Sequence, residues 1–329
     1  MQSIEIFVSR WEKGIITSLH NRKGDKETLS NHRGITTSSS IFDSIIDNRI
    51  EKTVPFTQAQ GGGKKGMSTS DHLLVLRTII DISQSQKRET FLTFYDVSKA
   101  YDHVDNDDLL VTMWEKGLRG TTWRILQALN TDLSAQVKTK FGHTREITME
   151  IGGKQGSRLT GRMFAKLMDL LAEELIEAKD GFRITEEFII SVLLWVDDVI
   201  SCAEGIEEQE KMLEKVNQFA LKHKITWGAE KCKVMRVGRH KDKEKERDWK
   251  IGNMAIKEAT QYKYLGDWIT NDGKNKSNIE ARQRNLQTTT IYINSTSHVD
   301  IDRFSDYCYY DDERRYQWPF LFIFIRIKL

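Results

Sequence analysis

Three aspartates stand where the surrounding residues lead one to expect buried β-structure. Asp96 closes the run Phe91–Val97 (FLTFYDV). Asp197 and Asp198 sit between two apolar runs, Phe188–Trp195 (FIISVLLW) and Val199–Ala203. Burying a carboxylate is costly unless something positive compensates, and none of these runs contains a basic residue. A divalent cation is the natural partner, because hard ions such as magnesium take carboxylate oxygens and use them to hold phosphate groups. Two such ions held by carboxylates from neighbouring strands are the arrangement polymerases use for in-line phosphoryl transfer. The competing reading of the Asp197-Asp198 pair, taken alone, is a turn whose acids face solvent.

Strands and helices must hold these acids in place. FLTFYDV is short, aromatic and β-prone, so it reads as a buried strand, and the two runs around the acidic pair predict a hairpin. Asp105 and Asn106 can cap a helix through Trp114, with Asp107 and Asp108 in its first turn and Gly117 at its stop. A further helix is expected over Thr121–Asn130, and Ala135–Ile151 alternates like a hairpin. The loop GGKQGSRLTG leads into an amphipathic helix from Arg162 to Ala178, with Phe164, Leu167, Met168, Leu171 and Leu175 on one face. Glu207–His223 predicts another helix, and short strands are expected around Cys232–Val237, Trp249–Ile251 and Tyr262–Ile269. Residues 1–70 read as irregular, with a weak helix around Ile41–Ile50. In the loop Gln60–Ser70, Ser68, Thr69 and Ser70 are candidates to cap a helix carrying Leu73, Leu74, Leu76, Ile79 and Ile80. The fold class is α+β with a mainly antiparallel sheet.

The chain has 329 residues, with 50 Lys plus Arg against 48 Asp plus Glu, a net charge of only +2 although 30% of residues are charged. That balance excludes an obviously basic nucleic-acid arm or an acidic tail. Hydrophobic residues make up 39%, enough for a core, and a prior of roughly 150 residues per domain suggests two domains or one large one with subdomains. Cys202, Cys232 and Cys308 are far apart and lack C-x-x-C spacing, which argues against a disulfide framework or a zinc site. A reduced intracellular compartment is the default. No basic-then-apolar leader opens the sequence, so secretion is not expected. The longest apolar run, Phe320–Ile325, falls short of the ~20 residues of a membrane helix. Only Pro55 and Pro319 are prolines, where average usage would give roughly sixteen.

A resemblance emerges from motif order. YDVSKAYDHV (Tyr95–Val104) resembles motif A of the reverse transcriptases, GGKQGSRLTGRMF (Gly152–Phe164) resembles motif B, and LLWVDDVI (Leu193–Ile200) resembles motif C. Upstream, NHRGIT (Asn31–Thr36) and QAQGGGKKGMST (Gln58–Thr69) resemble the finger motifs of non-LTR retrotransposon enzymes. Downstream, ITWGAEKCKVM (Ile225–Met235) resembles motif D, and YKYLG (Tyr262–Gly266) resembles the primer grip. The match runs in family order from about residue 11 to 270. It implies a right-hand polymerase with part of the fingers in 1–90. The palm, an antiparallel sheet packed on helices, would occupy 91–270, with the remaining fingers inserted at about 105–150. Residues 271–329 are expected to be an atypical segment, a truncated thumb or a disordered tail, and no endonuclease domain is expected in this chain.

The resemblance also implies roles. Asp96 and Asp197 would bind two Mg2+ or Mn2+ ions with Asp198 beside them and the Val97 carbonyl completing the set. Tyr101 matches the aromatic that packs under the sugar and excludes a 2′-OH, though a core tyrosine reads equally well. Gln155 and Gly156 match the loop against the incoming nucleotide, and Arg33 matches a finger arginine gripping the triphosphate through charge-assisted bonds. Lys231 is the candidate proton donor to pyrophosphate. Trp195 stands as the aromatic platform of motif C, and Tyr264, Leu265 and Gly266 stand at the primer. The Gly61–Gly66 loop lacks the preceding strand and terminal Lys-Ser/Thr of a P-loop. It reads as a finger tip whose Lys64 and Lys65 touch template phosphates, or as a solvated loop. The implied function is RNA-directed DNA polymerase, using RNA template, DNA primer and dNTP. A catalytically inactive remnant and an RNA-dependent RNA polymerase are the alternatives. Arg158 and Gly161 stand where motif B usually has prolines.

Overall fold

In a computed structural model, residues 13–274 are described apart from 21–23, 26, 29–30, 38–39, 99, 132, 150–151, 155 and 239–246. The chain divides into two units, Met1–Asn275 and Lys276–Leu329, and every described residue lies in the first. Gln155 and residues 275–329 of the expected tail lie outside the described residues.

The elements begin with β1 (Lys13–His20) and β2 (His32–Thr37), then α1 (Ser40–Thr53) and α2 (Thr69–Ser85). Next come β3 (Thr90–Asp96), the single turn α3 (Ala100–His103), α4 (Asn106–Glu115) and α5 (Gly120–Asn130). The short strands β4 (Ser134–Thr139), β5 (Gly142–His143) and β6 (Ile147–Thr148) precede the long helix α6 (Arg158–Glu177). Then follow β7 (Phe182–Arg183), β8 (Ile189–Ile190), β9 (Val192–Trp195), β10 (Asp198–Ala203) and α7 (Ile206–Lys222). The last are β11 (Lys233–Val237), β12 (Trp249–Ile251), β13 (Met254–Glu258), β14 (Gln261–Tyr264) and β15 (Asp267–Thr270).

Two larger sheets result. One runs β2-β1-β4-β5, with β6 also pairing β4, and the other runs β12-β13-β11-β3-β10-β9. In the second, β3 lies between β10 and β11 and pairs antiparallel with both. Period-2 alternation assigns its side chains to two faces. Phe91 and Tyr95 join the core built on α4, α6 and α7, whereas Leu92 and Phe94 join α2 and the β14–β15 hairpin. A strand buried on both faces explains why FLTFYD reads as nearly continuous apolar sequence.

The helix ends follow local chemistry. Asp105 accepts a hydrogen bond from the Asp107 N–H and caps α4, and Gly117 takes a φ of 95° where the chain leaves it. Ser68 caps α2, its backbone N–H and hydroxyl donating to the Asp71 carboxylate at 2.7 and 2.9 Å.

Several expectations need correction. Among the described residues before 70, the short elements include paired strands not expected from the sequence: β1 and β2 form an antiparallel pair and β1 also pairs parallel with β4, more than 100 residues later. Such pairing leaves little local signal in a polar segment. Helix α6 begins at Arg158, not Arg162. The run Phe188–Trp195 breaks at Ser191, and the run Tyr262–Ile269 is a hairpin turning at Leu265 and Gly266, with φ of 47° and 91°.

A buried ionic network ties α1 and the loop after it to α6. Arg162 donates to both oxygens of Asp47 and to the Gly63 carbonyl. Lys166 donates to Asp169 at 2.7 Å and to the Pro55 carbonyl at 3.0 Å, and Asp169 accepts from the Thr57 N–H at 2.9 Å. Removing one partner strands a buried charge, so Arg162→Met is expected to destabilise the fold by about 3–5 kcal/mol. Urea denaturation of this variant beside wild type measures it.

Candidate active site

Sheet register brings the acids together. Asp198 is the first residue of β10 and stands directly opposite Asp96, the last residue of β3. Asp198 also pairs with Trp195 across the β9–β10 hairpin, leaving Val196 and Asp197 as a two-residue turn. All three carboxylates are half-buried at one end of the central strands. Burial pushes the Asp198 carboxyl up to about 6, Asp197 and Asp96 add to the rise, and Lys231 opposes it. The same acids raise their neighbours. Tyr101 is shifted upward by burial and by Asp197, and Tyr262 by burial, Asp96 and Asp198.

One cation reaches this cluster from its own chain. Lys231 sits between α7 and β11, and its Nζ donates to both oxygens of Asp96 at 3.0 and 2.9 Å. Gly228 brings that segment in, its N–H donating to the Asp96 carbonyl at 2.9 Å, and a Cβ at Gly228 would lie 3.2 Å from Asp96 Oδ2. Val97 bridges Trp227 on the same segment. The strand runs contain no basic residue, as read from the sequence, and Lys231 supplies a basic partner from outside them.

The donor set suits a divalent cation. It consists of hard carboxylate oxygens. Among the described residues, no group of three His, Cys, Asp or Glu side chains is arranged to hold an ion.

Tyr101 is half-buried, its ring centroid 5.8 Å from that of Phe164 on α6. Gly161 lies beside it, where a Cβ would stand in ordinary contact, 3.7 Å from the Tyr101 hydroxyl. Gly156 has a φ of 110°, and a Cβ there would meet the Thr36 carbonyl at 2.9 Å. The motif B loop thus packs on β2, the strand that carries Arg33 opposite Leu19.

The residues expected at nucleic acid fall in different surroundings. In the glycine-rich loop, Gly61 and Gly62 are buried under the acid-bearing turn, whereas Gly63, Lys65 and Gly66 are exposed. A Cβ at Gly62 would stand 2.5 Å from Val196 Cγ2 and 2.8 Å from the Val196 nitrogen. A Cβ at Gly61 would stand 2.9 Å from the Trp195 ring. Beyond them, Lys64 donates to the Thr57 carbonyl at 3.4 Å and Lys65 is exposed. Tyr264 is a packing residue, only 2% exposed within the α2 and β14–β15 core. Leu265 and Gly266 form the turn beside it, and Gly266 is exposed. Trp195 is half-buried against His72, ring centroids 5.4 Å apart at 79°.

The residues that sequence reasoning missed are the supports of the turn, Gln60, Gly62 and Arg162. Three consecutive glycines signalled a close approach, but the partner lies some 130 residues away and no local pattern names it.

The chain matches a family model described as reverse transcriptase (RNA-dependent DNA polymerase) over residues 22–269. It is 29% identical over 189 residues to a retrovirus-related Pol polyprotein from type-1 retrotransposable element R2 of Popillia japonica, covering 56% of this chain and 26% of the relative. With the corresponding R2 polyprotein of Nasonia vitripennis it shares 26% identity over 237 residues, 68% of this chain and 22% of the relative. The chain therefore spans about a quarter of the length of these relatives. Its fold is similar to that of telomerase from Candida tropicalis truncated from its C-terminal domain. That match has a TM-score of 0.52 and 14% identity and covers 80% of this chain and 54% of that one. Telomerase from Candida albicans, in complex with a fragment of telomeric RNA, gives 0.51 and 11%, over 81% of this chain and 45% of that one. These likenesses establish the fold as the right-hand polymerase arrangement, α+β with antiparallel-rich sheets.

Two outcomes follow from the turn's surroundings. Gly62→Ala must displace backbone at Val196, so the fold is expected to lose about 1–3 kcal/mol, as a thermal melt beside wild type would show. His72 is held down at about 4 by burial, from an ordinary 6.5. The unfolded chain takes up that proton first, so stability is lost as pH falls from about 6.5 towards 4. Denaturant titrations across this window are expected to show a shallower loss in His72→Phe.

Proposed function

Because the chain belongs to the reverse transcriptase (RNA-dependent DNA polymerase) family, we propose that it is a retrotransposon polymerase core that extends a DNA primer on an RNA template from dNTP. The observation that carries this reading is the pairing of Asp96 with Asp198 across β3 and β10, with Asp197 at the adjoining turn. Asp96, Asp197, Asp198 and the Val97 carbonyl are the proposed holders of two Mg2+ or Mn2+ ions. When bound, such ions activate the primer 3′-OH and neutralise charge on the triphosphate and the leaving pyrophosphate.

The chain's own residues divide the remaining work. The turn fixes the Asp197 carboxylate relative to Asp96 and Asp198. Tyr101, backed by Phe164, is proposed to lie under the sugar and exclude a 2′-OH. Gly156 and Gln155 line the nucleotide, and Arg33, on the strand packed against Gly156, grips the triphosphate. Lys231 holds a proton at Nζ beside Asp96 and is proposed to deliver it to a pyrophosphate oxygen. Trp195, Leu265 and Gly266 are proposed to face the primer end, and exposed Lys65 the template. In the same reading, residues 1–90 and about 105–150 serve as fingers and the rest of 91–270 as palm.

Primer extension on an RNA template with Mg2+ or Mn2+ tests the reading. Wild type is expected to incorporate dNTP in preference to NTP, and Asp197→Asn is expected to lose about 10³-fold or more in turnover. Incorporation that persists in Asp197→Asn sinks the assignment of the site. Primer-template binding without extension under either metal identifies an inactive remnant, and equal use of NTP identifies an RNA-dependent RNA polymerase.

A further inference from the structure

We propose that Gln60 is a positioning residue that locks the acid-bearing turn in its catalytic shape, an inference that rests on the polymerase reading above. Gln60 lies in the loop before α2 and is fully buried. Its Oε1 accepts two backbone hydrogen bonds, from the Val196 N–H at 3.0 Å and from the Gly62 N–H at 2.9 Å. Its Nε2 donates to the Ala165 carbonyl of α6 at 3.4 Å. The backbone on either side adds to the sheet edge, because the Leu194 N–H donates to the Ala59 carbonyl and the Gly61 N–H to the Leu194 carbonyl, both at 2.9 Å. One side chain therefore joins the acid-bearing turn, the glycine loop and the long palm helix.

The turn needs this support for two reasons. Val196 has a φ of 59°, a left-handed conformation that a β-branched residue adopts only under constraint. Its N–H is also directed inward and requires an acceptor. A carboxylate at this place would add a fourth negative charge beside Asp96, Asp197 and Asp198, whereas the amide of Gln60 accepts both bonds and stays neutral. Its second end, on Ala165, fixes the acceptor to a rigid helix. Gly62 completes the lock by letting the loop approach Val196 closely.

The test uses the full 329-residue chain and two variants, Gln60→Met, which fills the space without an acceptor, and Gln60→Glu, which keeps one. Hydrogen exchange is measured first, since it needs no activity. Exchange of the Val196 amide is expected to accelerate roughly tenfold or more in Gln60→Met, to accelerate less in Gln60→Glu, which keeps the acceptor but loses the bond to Ala165 and adds a charge, and to stay unchanged in β14–β15. Steady-state extension then separates the constants. Gln60→Met is expected to lose about a hundredfold in kcat, with KM for dNTP and primer-template affinity each within about threefold. Wild-type exchange at Val196 in Gln60→Met overturns the proposal, and so does acceleration spread evenly over the sheet. If wild type itself extends no primer, the polymerase reading falls, while exchange at Val196 still decides whether Gln60 holds the turn.

Discussion

Two carboxylates face each other across adjacent strands with a third one residue away, and their mutual repulsion is the constraint around which this molecule is built. The Asp198 carboxyl is pushed up to about 6, chiefly by burial and further by both neighbouring acids. Left to relax, the strand ends would separate or turn their acids to solvent. They are held because β3 is buried on both faces, so any slip of register would swap Phe91 and Tyr95 for Leu92 and Phe94 and ruin two cores at once. The hairpin is held separately, by the buried loop beneath Val196 and Trp195. Lys231 offsets part of the repulsion from the solvent side, where its long side chain can reach Asp96 or withdraw from it.

Much of this was legible in the sequence, and the reason differs by element. Strand β3, the β9–β10 hairpin and helices α4, α5 and α7 declared themselves because their signals are local: an apolar run, a capping aspartate, a stop glycine, a 3.6-residue period. The three acids were legible because polar residues among buried strands are exceptional. Strands β1 and β2 were not, since their partner β4 is remote and their own residues are largely polar. The burial of Gly61 and Gly62 was not legible for a related reason. The loop's composition says that something comes close, and a nucleic acid and a protein turn leave the same mark on sequence. Tyr264 failed in the opposite sense: a motif position suggested contact with primer, but its neighbours Leu76, Leu193 and Ile269 make it part of a core. Gln60 carried no signal, because its worth lies in two backbone groups it meets only after folding.

The buried charges of α6 extend the same logic away from the acids. A buried ion pair is weak evidence for stability, since its desolvation cost can exceed its attraction. Apolar residues at Asp47, Arg162, Lys166 and Asp169 would hold α1 on α6 at least as firmly. What they would lack is direction. Arg162 spends one donor on the Gly63 carbonyl, Lys166 one on the Pro55 carbonyl, and Asp169 accepts from the Thr57 N–H. Each pair thus carries a bond to the backbone between α1 and Gly63, the segment that delivers Gln60 to the turn. Hydrophobic packing is non-directional and would let this segment slide by fractions of an ångström, whereas charge-assisted bonds to three of its backbone groups fix its register against the helix. The ionic network is best understood as setting position, which passes from α6 through the loop to Val196 and so to the acids.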